Sequence, residues 1–198
     1  MFFMIFIGLG NPGKEFFGSR HNVGRDFLYL LGEKNEGKDV WQSDTLQKAL
    51  TLKTKIASKS VFFVLPETFM NDSGLSVRKV IDGKKDLEKI VVLQDDIDLP
   101  IGSIKLSFAR GSGGHQGVES VIKHVKSKDF LRVRIGISPK NAQGVAKKPK
   151  GEEKVKKFVL GQFSPAEKII IKKVYKVLDE VVEVLVKEGR LEAMNKFN

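Results

Sequence analysis

FFMIFIGLGNPGKEFFGSRHNVG, residues 2–24, is the stretch whose reading decides the fold. An apolar run at 2–7 stops at a glycine turn holding Asn11, and the chain then reaches the polar tetrad Ser19, Arg20, His21 and Asn22. A short apolar run bounded by turn residues is the pattern of a strand buried on both faces. One loop therefore carries an amide that can grip a carbonyl and an imidazole that can take a proton. Both are equipment for hydrolysis.

The same pattern recurs further along. Residues 61–65 (VFFVL) and 90–93 (IVVL) are short continuous apolar runs, expected as central strands. Residues 50–57 and 131–137 alternate as half-exposed strands do, the latter projecting Arg132 and Arg134 to one side. Helices are expected at about 22–32, 73–82 and 116–127. A last helix, at about 164–188, opens with a capping box at Ser164-Pro165-Ala166-Glu167. It carries the stripe Ile170, Val174, Val177, Val181 and Leu185. Strands alternating with helices predict an α/β protein, and 198 residues without an internal repeat predict a single domain over 1–198.

The chain has no cysteine, which excludes disulfides, thiol nucleophiles and thiolate metal sites. The apolar opening lacks the flanks of a signal peptide and the length of a membrane span, so a cytoplasmic protein is expected. Lys and Arg number 35 against 24 Asp and Glu, and a net charge of +11 favours a polyanionic partner. The excess is concentrated at 140–157, KNAQGVAKKPKGEEKVKK, which reads as a mobile basic loop over about 140–156.

In open α/β sheets, sites form beyond the carboxyl ends of the strands. The run at 2–7 leads to Asn11, that at 61–65 to PETFMN (66–71), and that at 90–93 to QDDID (94–98). Asn11, His21, Asn71 and Asp95 are therefore expected around one cleft. A fourth loop, GSGGHQG (111–117), opens the helix at 116–127, where its amides suit an anion or carbonyl.

GLGNPG…RHNVG, PETFMNDSG, DDIDLPIG, GSGGHQG, LRVRIGI and FVLGQF, in this order and spacing, resemble the bacterial peptidyl-tRNA hydrolase family. The resemblance implies a twisted mixed β-sheet flanked by helices in three α/β/α layers, and a monomer without metal or cofactor. It implies cleavage of the ester between a peptide and the 3′ end of tRNA. On it, His21 is the general base on water and Asp95 orients that imidazole, while Asn11 and Asn71 hold the peptide and the scissile carbonyl. Asn71 is the better placed to stabilise the tetrahedral intermediate. Phe16, Phe69 and Gln116 fall near the terminal nucleotide, with Met70, Gly114 and His115 beside the cleft and Lys105 and Arg134 as phosphate contacts. Phe16 stands where the family usually has tyrosine, and Gln116 where it usually has asparagine.

Competing readings are weighed on the same residues. Gly8-x-Gly10-x-x-Gly13 matches a dinucleotide fingerprint, but Pro12 and Gly18 spoil the helix that should follow. Ser19 and Ser112 lie near the cleft without the G-x-S-x-G elbow of a serine hydrolase. Asp95, Asp96 and Asp98 suggest a metal, but the turn at DLPIG and the lack of histidine spacing argue against one. His115 either braces its turn or contacts substrate, and His124 belongs to a core-facing helix. A non-hydrolytic RNA-binding relative of the same fold is the alternative, as is a nucleoside-processing enzyme; the complete set Asn11, His21, Asn71 and Asp95 favours the hydrolase.

Overall fold

The computed structural model describes residues 4–81 and 83–198. Positions 2, 3 and 82, included above in a strand and a helix, lie outside the described residues. The strands are β1 (Met4–Gly8), β2 (Gln42–Asp44), β3 (Ala49–Ile56), β4 (Lys59–Pro66), β5 (Ile90–Pro100), β6 (Ile104–Phe108) and β7 (Leu131–Ser138). The helices are α1 (Val23–Glu36), α2 (Ser73–Val80), α3 (Gln116–Val125), α4 (Glu152–Leu160), α5 (Pro165–Lys187) and α6 (Arg190–Phe197).

The strands form one seven-stranded sheet in the order β2-β3-β4-β1-β5-β7-β6. β4, β1, β5 and β7 run parallel at its centre, and β2, β3 and β6 are antiparallel additions. Alternation along β1 divides the core. Met4 and Phe6 face α1, α5 and their neighbours, whereas Ile5 and Ile7 face α2 and α3. This is the expected three-layer arrangement, and it places the ends of β4, β1 and β5 side by side.

Several details differ from the sequence reading. β7 is an internal strand, buried along nearly its whole length, because β6 pairs outside it; Arg132 is therefore buried. The basic loop is shorter than expected, since α4 begins at Glu152 with its two glutamates in the first turn, where the helix dipole favours negative charge. The stripe on α5 holds at Val174, Val181 and Leu185. Val177 faces outward instead, and Leu178 is buried in its place. The capping box at Ser164 and Glu167 is present as read.

Candidate active site

Three parallel strand ends and one helix start converge. β1 runs into Asn11, and β4 runs through Glu67 into a single 3-10 turn, Met70–Asp72. β5 presents Asp95, which is 2 % exposed. His21 sits in another 3-10 turn, Arg20–Asn22, directly before α1.

Glycines bring these pieces together. A Cβ at Gly24 would stand 2.4 Å from the Leu93 carbonyl oxygen, so the start of α1 lies against the end of β5 with no room for a side chain. A Cβ at Gly10 would come within 2.9 Å of the Asn22 side chain and closer to Arg25. The Gly8–Gly10 spacing thus serves the close packing of β1 on α1. The chain after it forms a short turn, Lys14–Phe16, and no helix that could hold a dinucleotide phosphate.

Asn11 is held on three sides. Its backbone N–H donates to Asn22 Oδ1 at 2.9 Å, and Asn22 Nδ2 donates back to the Asn11 carbonyl at 2.9 Å. Its side-chain oxygen accepts the Met70 N–H at 2.9 Å. Among the described residues the Asn11 Nδ2 donor has no partner. Asn22 was read only as one of a polar tetrad; its reciprocal pairing with Asn11 depends on a fold-back that local sequence does not display.

His21 donates through Nδ1 to Asp95 Oδ1 at 2.8 Å, because a buried carboxylate can only accept. Nε2 then carries the lone pair. Burial works against a charged imidazole here, but the Asp95 charge and hydrogen bond outweigh it and raise the His21 pKa. Burial likewise pushes Asp95 up, and the two imidazoles against it more than offset that, so its carboxyl titrates well below the usual range. The second imidazole is His115, whose Nε2 lies 2.9 Å from the same oxygen. The two rings stand 5.1 Å apart, centre to centre.

His21, Asp95 and His115 have ligand atoms within 4.8 Å of one another. They do not fit a metal. A metal on His115 Nε2 would need the proton on Nδ1, but that nitrogen accepts the Val118 N–H at 3.3 Å. Donor would face donor.

The remaining predicted residues surround this centre. Asn71 is exposed, with its amide 3.3 Å from Asp72 Oδ2. Phe69 is exposed, Phe16 half-buried, and Met70 buried against the site of Gly117. Gly114 and Gln116 flank His115 and are exposed. Lys105 and Arg134 are register partners on β6 and β7, lining a separate cavity of about 540 Å³ with Arg110 and Arg132. Arg134 there donates to Asp96 at 2.6 Å, and Asp98 pairs with Lys148, so neither aspartate joins Asp95. Arg20, next to His21, was given no role; it ties the turn to the α4–α5 junction through the Gln162 carbonyl at 2.8 Å and Glu167 at 2.9 Å. Its neighbours Phe158 and Phe163 lie under the guanidinium.

The chain is 36% identical over 194 residues to the peptidyl-tRNA hydrolase of Syntrophotalea carbinolica, covering 97% of this chain and 95% of that one. It is 39% identical over 173 residues to that of Aquifex aeolicus, covering 86% and 83%. The crystal structure of peptidyl-tRNA hydrolase from Acinetobacter baumannii superimposes with a TM-score of 0.86 at 30% identity, covering 98% of this chain and 94% of that one. Among the described residues no helix is long and apolar enough to cross a membrane. The family model for peptidyl-tRNA hydrolase matches residues 5–198, and the chain belongs to that family.

Proposed function

We propose that this protein hydrolyses the ester joining a peptide to the 3′ end of tRNA, with His21 as general base on the attacking water. The observation that carries the reading is the His21–Asp95 pair. The carboxylate fixes Nδ1 as the donor, so Nε2 faces outward as a base whose charged form the same carboxylate stabilises. An ester has a good leaving group, so a base, an oriented water and amide donors suffice without a covalent nucleophile. Asn11 Nδ2 and Asn71 are those donors, Asn71 for the oxyanion.

The acyl end lies in the cleft beside Met70, with Gly114 and Gln116 at its rim, and the terminal nucleotide stacks on Phe69 and Phe16. Lys105 and Arg134 take phosphates in the basic cavity, and Lys147, Lys148 and Lys150 add sequence-independent attraction. The reaction is metal-free on this reading, supported by the donor-to-donor conflict at His115. A monomer acting in the cytoplasm is the working form; the family resemblance supports the first, and the nature of the substrate supports the second.

The test compares N-acetylated with free aminoacyl-tRNA as substrates. Release of only the blocked aminoacyl group is expected. Equal cleavage of both, or tight tRNA binding without cleavage, would contradict the reading. The second outcome would point to the non-hydrolytic RNA-binding alternative.

A further inference from the structure

We infer that His115 is a positioning residue for the reaction: locked as the Nε2–H imidazole by the first turn of α3, it fixes the Asp95 carboxylate and limits how strongly that carboxylate draws a proton onto His21. The inference rests on the hydrolytic reading above.

The lock follows from hydrogen-bond chemistry. His115 is the N-cap of α3, and its Nδ1 accepts the Val118 backbone N–H at 3.3 Å. An amide N–H can only donate, so Nδ1 holds a lone pair and the ring proton sits on Nε2. That proton points at Asp95 Oδ1, 2.9 Å away. A second proton on the ring would turn Nδ1 against Val118. With both nitrogens engaged and the side chain 8 % exposed, His115 has no group left over for substrate.

The consequence lies in how one oxygen serves two donors. Asp95 Oδ1 accepts from His21 and His115 together. Each donor draws on the same negative charge, so the His115 hydrogen bond weakens the pull on His21. A buried carboxylate with His21 as its sole partner would keep that base protonated over more of the working range. A general base works best with its value near the operating pH.

The surroundings preserve the arrangement. A Cβ at Gly117 would come 2.4 Å from Met70 Sδ and 3.2 Å from His115 Cε1, so the ring is wedged in place. Of the other charged groups on the packed elements, Lys123 on α3 is exposed, His124 donates to the Ser120 carbonyl at 2.8 Å and Arg132 on β7 donates to the Ser112 carbonyl at 3.4 Å. Arg20 pairs with Glu167, Arg25 with Glu67, Asp96 with Arg134 and Asp98 with Lys148, while Asp26 accepts the Gly18 N–H. Glu119, also on α3, is exposed.

His115→Asn separates the two jobs. Asparagine is a favoured N-cap, so the helix start is kept, but its amide stops short of the position that Nε2 occupies. The expected result is a rise of about one pH unit in the acid limb of kcat/KM and in the His21 ring titration followed by NMR. kcat should fall as Asp95 loosens. An acid limb and ring titration that stay in place, or move down, would overturn the inference and leave His115 a mere brace. Ring 15N spectra of the parent protein give a second check. A His115 Nε2–H tautomer is expected; a Nδ1–H ring would overturn it. If the parent protein cleaves no peptidyl-tRNA, the proposed function falls, while the two NMR readouts still decide the role of His115.

Discussion

At the scale of single residues the site is an exercise in assigning protons. Asp95 holds the His21 ring proton on Nδ1, leaves the lone pair on Nε2 and raises the ring's pKa. Asp95→Asn keeps the shape and removes the charge, so the acid limb of kcat/KM should move down, toward the ordinary imidazole value of about 6.5 or below it. kcat should fall less than on loss of His21 itself. A pH–rate profile checks this, and an unmoved limb would contradict it. The stability carried by the raised His21 value is fully present below the unfolded histidine value and lost as pH rises through the folded one, whereas that carried by the lowered Asp95 value is present above the unfolded carboxylate value and lost as pH falls. Asp26 follows the same sign as His21. Burial pushes it up to about 7 despite the Gly18 N–H and Arg25 beside it. A folded value above the unfolded one means that its ionisation costs stability as pH rises from about 4 to 7. Asp26→Asn keeps an oxygen for Gly18 and cannot ionise. It should match the parent's unfolding free energy near pH 4 and exceed it at pH 8, by an amount approaching about 4 kcal/mol. Equal melting curves at pH 8 would contradict the assignment. The identities of Asn11, His21 and Asp95 as cleft residues were legible because strand ends announce themselves. The bracing by Asn22 and the bond from His115 to Asp95 were not, because neither sequence spacing nor residue type shows which nitrogen meets which oxygen.

At the scale of elements the geometry rests on how closely α1 approaches β5. Gly24 leaves no space between its backbone and the Leu93 carbonyl. Gly24→Ala should force the two apart and cost about 1–3 kcal/mol, as overpacking does, or roughly 2–4 °C in Tm for each kcal/mol. Because the shift opens the His21–Asp95 distance, kcat should drop by more than the loss of folded protein explains. A thermal melt beside kinetics at 10 °C below the variant's own Tm separates the two effects; parent-like kcat there would show that the contact only stabilises. The parallel strands were legible from continuous apolar runs, and α5 from its cap. β2 and β6 escaped because QSD carries no apolar signal and IKLSF is an edge strand with mixed polarity. α4 was hidden by its lysines, since only Val159 is fully buried along its length. α6 likewise buries a single residue, Ala193, which leaves no stripe to read.

At the scale of the whole molecule, the net charge of +11 and the cavity lined by Lys105, Arg110, Arg132 and Arg134 belong to one account of RNA binding. KM for the tRNA substrate should rise steeply with salt while kcat changes little. Lys105→Ala removes an exposed cation without uncoupling a buried partner, so it should reduce the slope of log KM against log salt by about one and leave the fold intact. A slope equal to the parent's would place the phosphate elsewhere. Charge alone did not identify a partner; the motif order that marks the family gave that charge a direction. The central claim is that His21 performs the chemistry. Its most direct test is single-turnover hydrolysis of N-acetyl-aminoacyl-tRNA by excess His21→Ala protein. Retained tRNA binding with a cleavage rate lower by about 10²–10⁴ is expected. Cleavage at the parent rate would contradict it.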